Sequence, residues 1–184
     1  MAAAPRRALL SLALGVASVG AAAPLIRLVH APPITTAFLR TLIGGLVLMA
    51  IVRATRRPLP QGADARRAVI CGALLGVHFA LWFASLALTT VAASTVLVCT
   101  QPVFVALLAW LVLGERTPAR GIAGIGVAVV GSVVIALDLA IAANAASGAL
   151  YGNLLALAGA VVIAGYPIVA RGMTRHVDTL AFSA

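Results

Sequence analysis

Residues 76–115 read GVHFALWFASLALTTVAASTVLVCTQPVFVALLAWLVLGE, and this stretch decides the fold. It holds two apolar runs, each long enough to cross a bilayer, joined by a short polar turn. The second run contains the pair Gln101-Pro102 and ends in Leu113-Gly114-Glu115. Because a proline inside an apolar span removes a backbone donor and kinks a helix, the stretch predicts a membrane protein with several spans, one of them broken at Pro102.

The composition is that of a chain surrounded by lipid. Of the 184 residues, 63% are hydrophobic and only 9% are charged, which are too few charges to cover a soluble domain of this size. A formal net charge of +9 would suggest nucleic acid if the chain were soluble. Because the basic residues lie almost entirely between the apolar runs, the charge instead indicates membrane topology, and we expect no nucleic-acid partner.

The sequence carries no motif of catalysis or metal binding. Cys71 and Cys99 both fall inside apolar runs, without CxxC spacing. No group of His, Cys and acidic residues has metal-ligand spacing, and GxSxG, HExxH and P-loop strings are absent. We therefore expect neither enzymatic activity, nor a cofactor, nor a metal.

Six apolar segments approach the roughly 20 residues that are needed to cross a hydrocarbon core of about 30 Å. Since helices satisfy their own backbone in lipid, we predict an all-α fold, a polytopic transmembrane helix bundle of about six helices. The segments are Ala8–Val29, Ile34–Val52, Ala68–Leu88, Ala92–Leu113, Ile122–Ile141 and Ala149–Ala170.

The loops between these segments alternate in charge. Eleven of the 13 arginines fall on one side of the predicted membrane, namely Arg6, Arg7, Arg53, Arg56, Arg57, Arg66, Arg67, Arg116, Arg120, Arg171 and Arg175. The positive-inside rule assigns that side to the cytoplasm. We therefore predict a multi-pass protein of the inner (plasma) membrane with a cytoplasmic N-terminus.

A weak internal repeat links the two ends of the chain. Residues 23–26 (APLI) resemble residues 166–169 (YPIV), at an offset of about 143 residues, which corresponds to five predicted helices. An odd number of crossings inverts the second copy, as in many transporters. We predict one five-helix repeat over residues 1–143 and the start of an inverted, incomplete second repeat over residues 144–184.

Three stretches together are similar to a known family: AFLRTLIGGLVLM (37–49), the run from ASLALTT to GSVVIA (84–136) and GALYGNLLALAGAVVIAGYPI (148–168). Their order and spacing resemble the EamA domain of the drug/metabolite transporter superfamily, over nearly the whole chain. The resemblance implies ten helices in two inverted repeats and no covalent cofactor. It also implies transport of small metabolites, often outward, by alternating access.

The leading hypothesis is therefore a secondary transporter whose partners are the lipid bilayer and a small-molecule substrate. A second hypothesis is a half-transporter that forms a homo- or heterodimer if the chain truly ends at Ala184. The third is a membrane scaffold or sensor that does not transport.

The third predicted helix has two distinct faces. One carries His78, Trp82, Ser85 and Thr89, at spacings of four, three and four; the other carries Gly76, Ala80, Ala84 and Ala87. Because small residues let helix backbones approach closely, we expect the second face to pack on a neighbouring helix. The first face would then line a cavity and contribute to substrate binding. The alternative is an interhelical His78 beside an interfacial Trp82.

Arg40 is the only charge well inside a predicted span, about 9 Å from the end of its helix at 1.5 Å per residue. It is either a contact for an anionic group or a gate, or else it snorkels to the outer surface or bonds helix-end carbonyls. The resemblance places an arginine at this position in family members, which fits either role.

Three further residues are candidates for the transport path. Gln101 beside Pro102 offers polar groups at mid-membrane for substrate binding, or else bonds a neighbouring helix. Tyr166 would face a cavity if Pro167 breaks the sixth helix as Pro24 breaks the first. Glu115 would pair with Arg116, Arg120 or a basic loop as a gate at the cytoplasmic end, or else remain a solvated charge.

Overall fold

The computed structural model describes residues 6–29, 31–142, 149–173 and 177–183, and all of its regular secondary structure in these ranges is helical. The helices are α1 (Arg6–Arg27), α2 (Pro33–Ala54), α3 (Gly62–Leu88), α4 (Val91–Val98), α5 (Gln101–Leu113), α6 (Ala119–Ala142), α7 (Ala149–Ala170) and α8 (Thr179–Ser183). The predicted all-α class and the polytopic helical bundle are thus confirmed.

Five stretches of the described chain are long and apolar enough to cross a membrane: Leu9–Ile26, Pro33–Ala54, Gly62–Leu88, Val91–Leu113 and Ala149–Ala170. The apolar segment found in α6, Ala119–Gly131, is shorter than these five stretches. Each of the six predicted spans therefore falls on helix. The largest difference is at α3, which begins at Gly62 rather than at Ala68. The predicted boundary between the two repeats lies outside the described residues.

The fourth predicted span is divided into α4 and α5 by Cys99 and Thr100. The backbone N–H of Thr100 bonds the carbonyl of Leu97 at 3.2 Å, three residues back, so the last turn of α4 is tightened. Pro102 then occupies the first turn of α5. In that turn a backbone N–H would have no partner inside the helix, so the missing donor of proline costs little.

The breaks that we predicted at Pro24 and Pro167 are wrong, because both prolines lie inside continuous helices. Each lies within four residues of the end of its helix, so only the last turn is affected. In α7 the backbone N–H of Arg171 still bonds the carbonyl of Pro167 at 3.1 Å. A proline breaks this chain only where it falls in the middle of a span.

The centre of the molecule is the contact between α3 and α7, the most extensive in the structure. Small residues of α7 are buried there: Gly152, Ala156, Gly159, Ala160 and Ala164. A Cβ atom added at Gly152 would lie only 2.9 Å from the Cβ of Leu88 and 3.0 Å from the Cβ of Thr89. The two backbones therefore approach more closely than any residue larger than glycine would allow at this point.

Small residues recur along one side of α6, a pattern that favours helix packing: Gly121, Gly124, Ala128 and Gly131. Apart from the half-buried Gly121, this side is not packed within the described chain. Gly124, Ala128 and Gly131 are exposed. A Cβ atom added at Gly124 or Gly131 would meet nothing within 4 Å. The contact of α6 with α4 does not bury this side.

Replacing Gly152 with alanine should destabilise the protein by about 1–3 kcal/mol, because the new methyl group overpacks the end of α3. The matched variant Gly124→Ala adds the same methyl group in open space and should gain up to about 1 kcal/mol from helix propensity. Unfolding of the purified protein in mixed micelles, followed by circular dichroism, measures both changes. Equal unfolding midpoints for the two variants would contradict the close contact at Gly152.

Candidate functional site

The polar face of α3 is a buried interhelical seam. His78, Trp82, Ser85 and Thr89 are all buried. Nδ1 of His78 donates to the carbonyl oxygen of Gly159 at 2.9 Å. Oγ1 of Thr89 donates to Oδ1 of Asn153 at 2.9 Å. The seam therefore joins α3 to α7, and His78 takes the second of its two interpretations, an interhelical histidine.

The seam continues from α3 to α4 through two serines. Ser85 and Ser94 are fully buried and their hydroxyl groups are hydrogen-bonded to each other. Because Oγ of Ser85 donates to the carbonyl of Trp82 at 2.8 Å, Ser94 is the donor between the two hydroxyls. Within a membrane such groups need partners in the protein, and this pair supplies them.

The two faces of α3 are thus reversed relative to our expectation. Gly76, Ala80 and Ala84 are half-buried and Ala87 is exposed, while the polar stripe makes the tight contacts. The reason lies in α7, where the small residues sit on the partner helix. A Cβ atom added at Gly159 would lie 3.5 Å from Nδ1 of His78, in ordinary van der Waals contact, so the imidazole lies directly against this small residue.

Trp82 is buried and packs in the interior of the bundle. Its ring belongs to an apolar cluster with Ala22 and Ala23 of α1, Ala37 of α2, and Phe83 and Leu86 of α3. Among the described residues its Nε1 has no hydrogen-bond partner. The aromatic body of Trp82 therefore ties α1 and α2 to the central pair.

A groove of about 930 Å³ lies between α2 and α3. It runs from Arg40 to Pro60 in the α2–α3 loop, and Tyr166 of α7 and Phe182 of α8 form part of its wall. Its volume lies in the range of about 300–1,000 Å³ that is typical of small-molecule sites. Of the predicted binding residues, Arg40 and Tyr166 both line this groove.

Arg40 is held by aromatic rings. Its Cζ atom lies over the ring of Phe79, 4.7 Å from the centroid, and 5.8 Å from the centroid of Phe83. None of the ion pairs found in the described chain involves Arg40. A guanidinium attracted to ring faces is stabilised without a carboxylate, so Arg40 keeps its hydrogen-bonding edge for another partner.

Gln101 lies apart from both features. It is half-buried at the start of α5 and does not line the groove. Tyr166, by contrast, lines it and packs against Phe182, with ring centroids 5.8 Å apart. Phe79 and Phe182 complete the aromatic wall, and no pattern in the sequence marked them as candidates. No group of three or more His, Cys, Asp or Glu residues that could hold a metal ion occurs in the described ranges.

The sequence of the chain matches one protein family. The model of the EamA-like transporter family matches residues 6–137. The chain belongs to this family. No curated protein and no solved structure matches it. Membership makes the chain a multi-pass membrane protein of a transporter family, which is not a family of enzymes.

In this EamA-like protein, Glu115 is paired and its position is set by the end of α5. Gly114 adopts a left-handed conformation with φ of 68°. The N–H of Glu115 bonds the carbonyl of Ala109 at 3.1 Å, which closes the helix. The carboxylate then forms an ion pair with Arg171 at the end of α7. The sequence suggested Arg116, Arg120 or a basic loop as its partner.

A second ion pair, which the sequence did not indicate, joins Arg57 to Asp178 just before α8. Oδ1 of Asp178 also accepts hydrogen bonds from the backbone N–H groups of Ala181, at 3.2 Å, and Leu180, at 3.0 Å. The Ala181 bond, with help from Arg57, lowers the pKa of the Asp178 carboxyl below its usual value. Asp178 thereby anchors α8 beside the groove.

We expect acid to release α8. Because the pKa of Asp178 is lowered in the folded protein, its charge stabilises the fold above the usual carboxyl pKa of about 3.9. That stabilisation is lost as the pH falls through the lower, folded value. Hydrogen exchange of the α8 amides, corrected for intrinsic rates, should rise below about pH 4 in the wild type.

Asp178→Asn keeps an acceptor oxygen but removes the charge, so its α8 exchange should be faster at neutral pH and should change little on acidification. Asp64→Asn, at the start of α3, is the matched control and should behave like the wild type at α8. If hydrogen exchange of the α8 amides still rose on acidification in Asp178→Asn, a titratable group other than Asp178 would be responsible for the release of α8.

Proposed function

We propose that the protein is a secondary carrier that moves small metabolites across the inner membrane by alternating access, with the α2–α3 groove as its binding cavity. Family membership supports transport. The groove supports the cavity, because it places Arg40 and Tyr166 along one space large enough for a metabolite. The groove is the main observation behind the proposal, since small-molecule sites combine apolar walls with a few polar groups.

The two ion pairs support a cytoplasmic gate in this proposal. Arg57–Asp178 brings the α2–α3 loop to the segment after α7, and Glu115–Arg171 brings the α5–α6 loop to the same place. These are the arginine-rich loops that the positive-inside rule assigns to the cytoplasm. Exposed ion pairs contribute at most about 1 kcal/mol each, so they can open and close without a large barrier.

Two parts of the fold suit the movement that alternating access needs. The seam of His78, Ser85 and Ser94 fixes α3 against α7 and α4 as a rigid centre. The interruption at Cys99 and Thr100 leaves α5 a separate helix that can turn about these two residues. Hinges in transport and catalysis are usually a few such residues at helix ends.

A cysteine in the groove should react with a charged, water-soluble thiosulfonate, because thiolate forms only where water reaches the sulfur. Gly44 lines the groove, and a Cβ atom added there meets nothing within 4 Å. In a background with Cys71 and Cys99 replaced by alanine, Gly44→Cys should label. Labelling should also block the saturable flux found with a metabolite panel in liposomes.

Gly131→Cys is the matched control. Gly131 lies at a similar depth in its helix, is exposed outside the groove, and also has open space at its Cβ position. In lipid it should neither label nor affect flux. If Gly44→Cys were as inert as Gly131→Cys, the groove would be filled with lipid and could not be the binding cavity.

A further inference from the structure

The charge of the groove is unbalanced. Among its described lining residues, Arg40 alone is charged, and the other polar side chains of the lining include the hydroxyl groups of Thr41, Tyr166 and Ser183. Oγ1 of Thr41 already donates to the carbonyl of Ala37 at 2.9 Å, as a local helix bond. A cation in an apolar groove is costly without an anion or water beside it.

The orientation of Arg40 leaves its hydrogen-bond donors available. The Cζ atom of Arg40 lies over the rings of Phe79 and Phe83, and none of the hydrogen bonds or ion pairs found in the described chain uses its N–H groups. The five N–H groups lie in the plane of the guanidinium, at its edge. An edge of this kind bonds a carboxylate or phosphate through two parallel N–H···O bonds. The two rings therefore hold the cation of Arg40 in the groove while its N–H groups remain available to a ligand.

The rest of the groove is apolar and aromatic. Phe38, Phe79, Tyr166 and Phe182 contribute rings, and leucines of α2 and α3 line much of the remainder. Such walls favour an organic body over a bare inorganic ion. A single fixed cation also suits a ligand that carries one anionic group.

We infer that the groove binds organic anions with an apolar body, and that Arg40 holds the anionic group through its guanidinium edge. This inference rests on the proposed carrier function only in taking the groove as the binding cavity. It names the substrate class of that cavity and makes Arg40 its specificity-determining residue.

Three probes that share a phenylalkyl body but differ in charge test the inference: 4-phenylbutyrate is an anion, 4-phenylbutanamide is neutral and 4-phenylbutylamine is a cation. Calorimetry on the purified protein in a non-ionic detergent measures their affinities. A charge-assisted bond is worth roughly 1.5–3 kcal/mol, so the carboxylate should bind about 10- to 100-fold more tightly than the amide. The amine should bind most weakly. Equal or tighter binding of the amide or amine, or failure of all three to bind, would overturn the inference.

Variants of Arg40 separate charge from shape. Arg40→Gln should abolish the preference for the carboxylate, while Arg40→Lys keeps the charge without the planar fork and should retain part of it. Arg53→Gln removes a positive charge from the same helix outside the groove and should bind like the wild type. Circular dichroism checks that each variant is folded; if Arg40→Gln does not fold, Arg40→Lys and Phe79→Leu decide, since both should weaken carboxylate binding several-fold. Unchanged carboxylate preference in folded Arg40 variants would refute the assignment.

Flux in liposomes separates this inference from the carrier proposal. Protein-dependent flux of the amide or amine, without preference for the carboxylate, would refute the anion assignment and leave the carrier standing. Carboxylate binding that depends on Arg40, without flux of any compound, would support the assignment and count against the carrier.

Discussion

The close approach of α3 and α7 is the constraint on which the rest of this structure depends. Inside a membrane there is little hydrophobic force between helices, so association relies on close packing and on hydrogen bonds between them. Both are present here: Gly152 lets the backbones meet, and His78 bonds the carbonyl of Gly159. An imidazole that would be costly in lipid thereby becomes a fixed link between two helices.

That contact also determines where a ligand can bind. Because α7 covers the face of α3 that carries His78, α2 packs on another side of α3. Phe79 lies on that side and forms part of the wall of the groove between α2 and α3. Neighbouring residues of α3 therefore have different roles. His78 and Ser85 hold the bundle together, while Phe79, one residue after His78, presents its ring to Arg40.

The sequence predicted the helices better than it predicted their faces. Apolar run length located the spans because crossing a bilayer sets a minimum length, and Pro102 marked the break between α4 and α5. The packing face of α3 was assigned wrongly because the small residues that decide it lie on α7. The spacing of Gly152, Ala156 and Gly159 indicates a packing face on α7. It does not indicate that α3 is the helix that packs there.

Arg40 shows why the site itself was harder to predict than the fold. The alternatives that the sequence suggested, an anion contact or a snorkelling side chain, both concern the hydrogen-bonding edge of the guanidinium. The structure adds a cation–π interaction, since the Cζ atom of Arg40 on α2 lies over the ring of Phe79 on α3. The ring offsets part of the cost of the charge and uses none of its N–H donors, so these donors remain available to an anionic ligand. The aromatic neighbour, which no sequence pattern marks, holds this exposed charge in the groove, where it can bind a ligand.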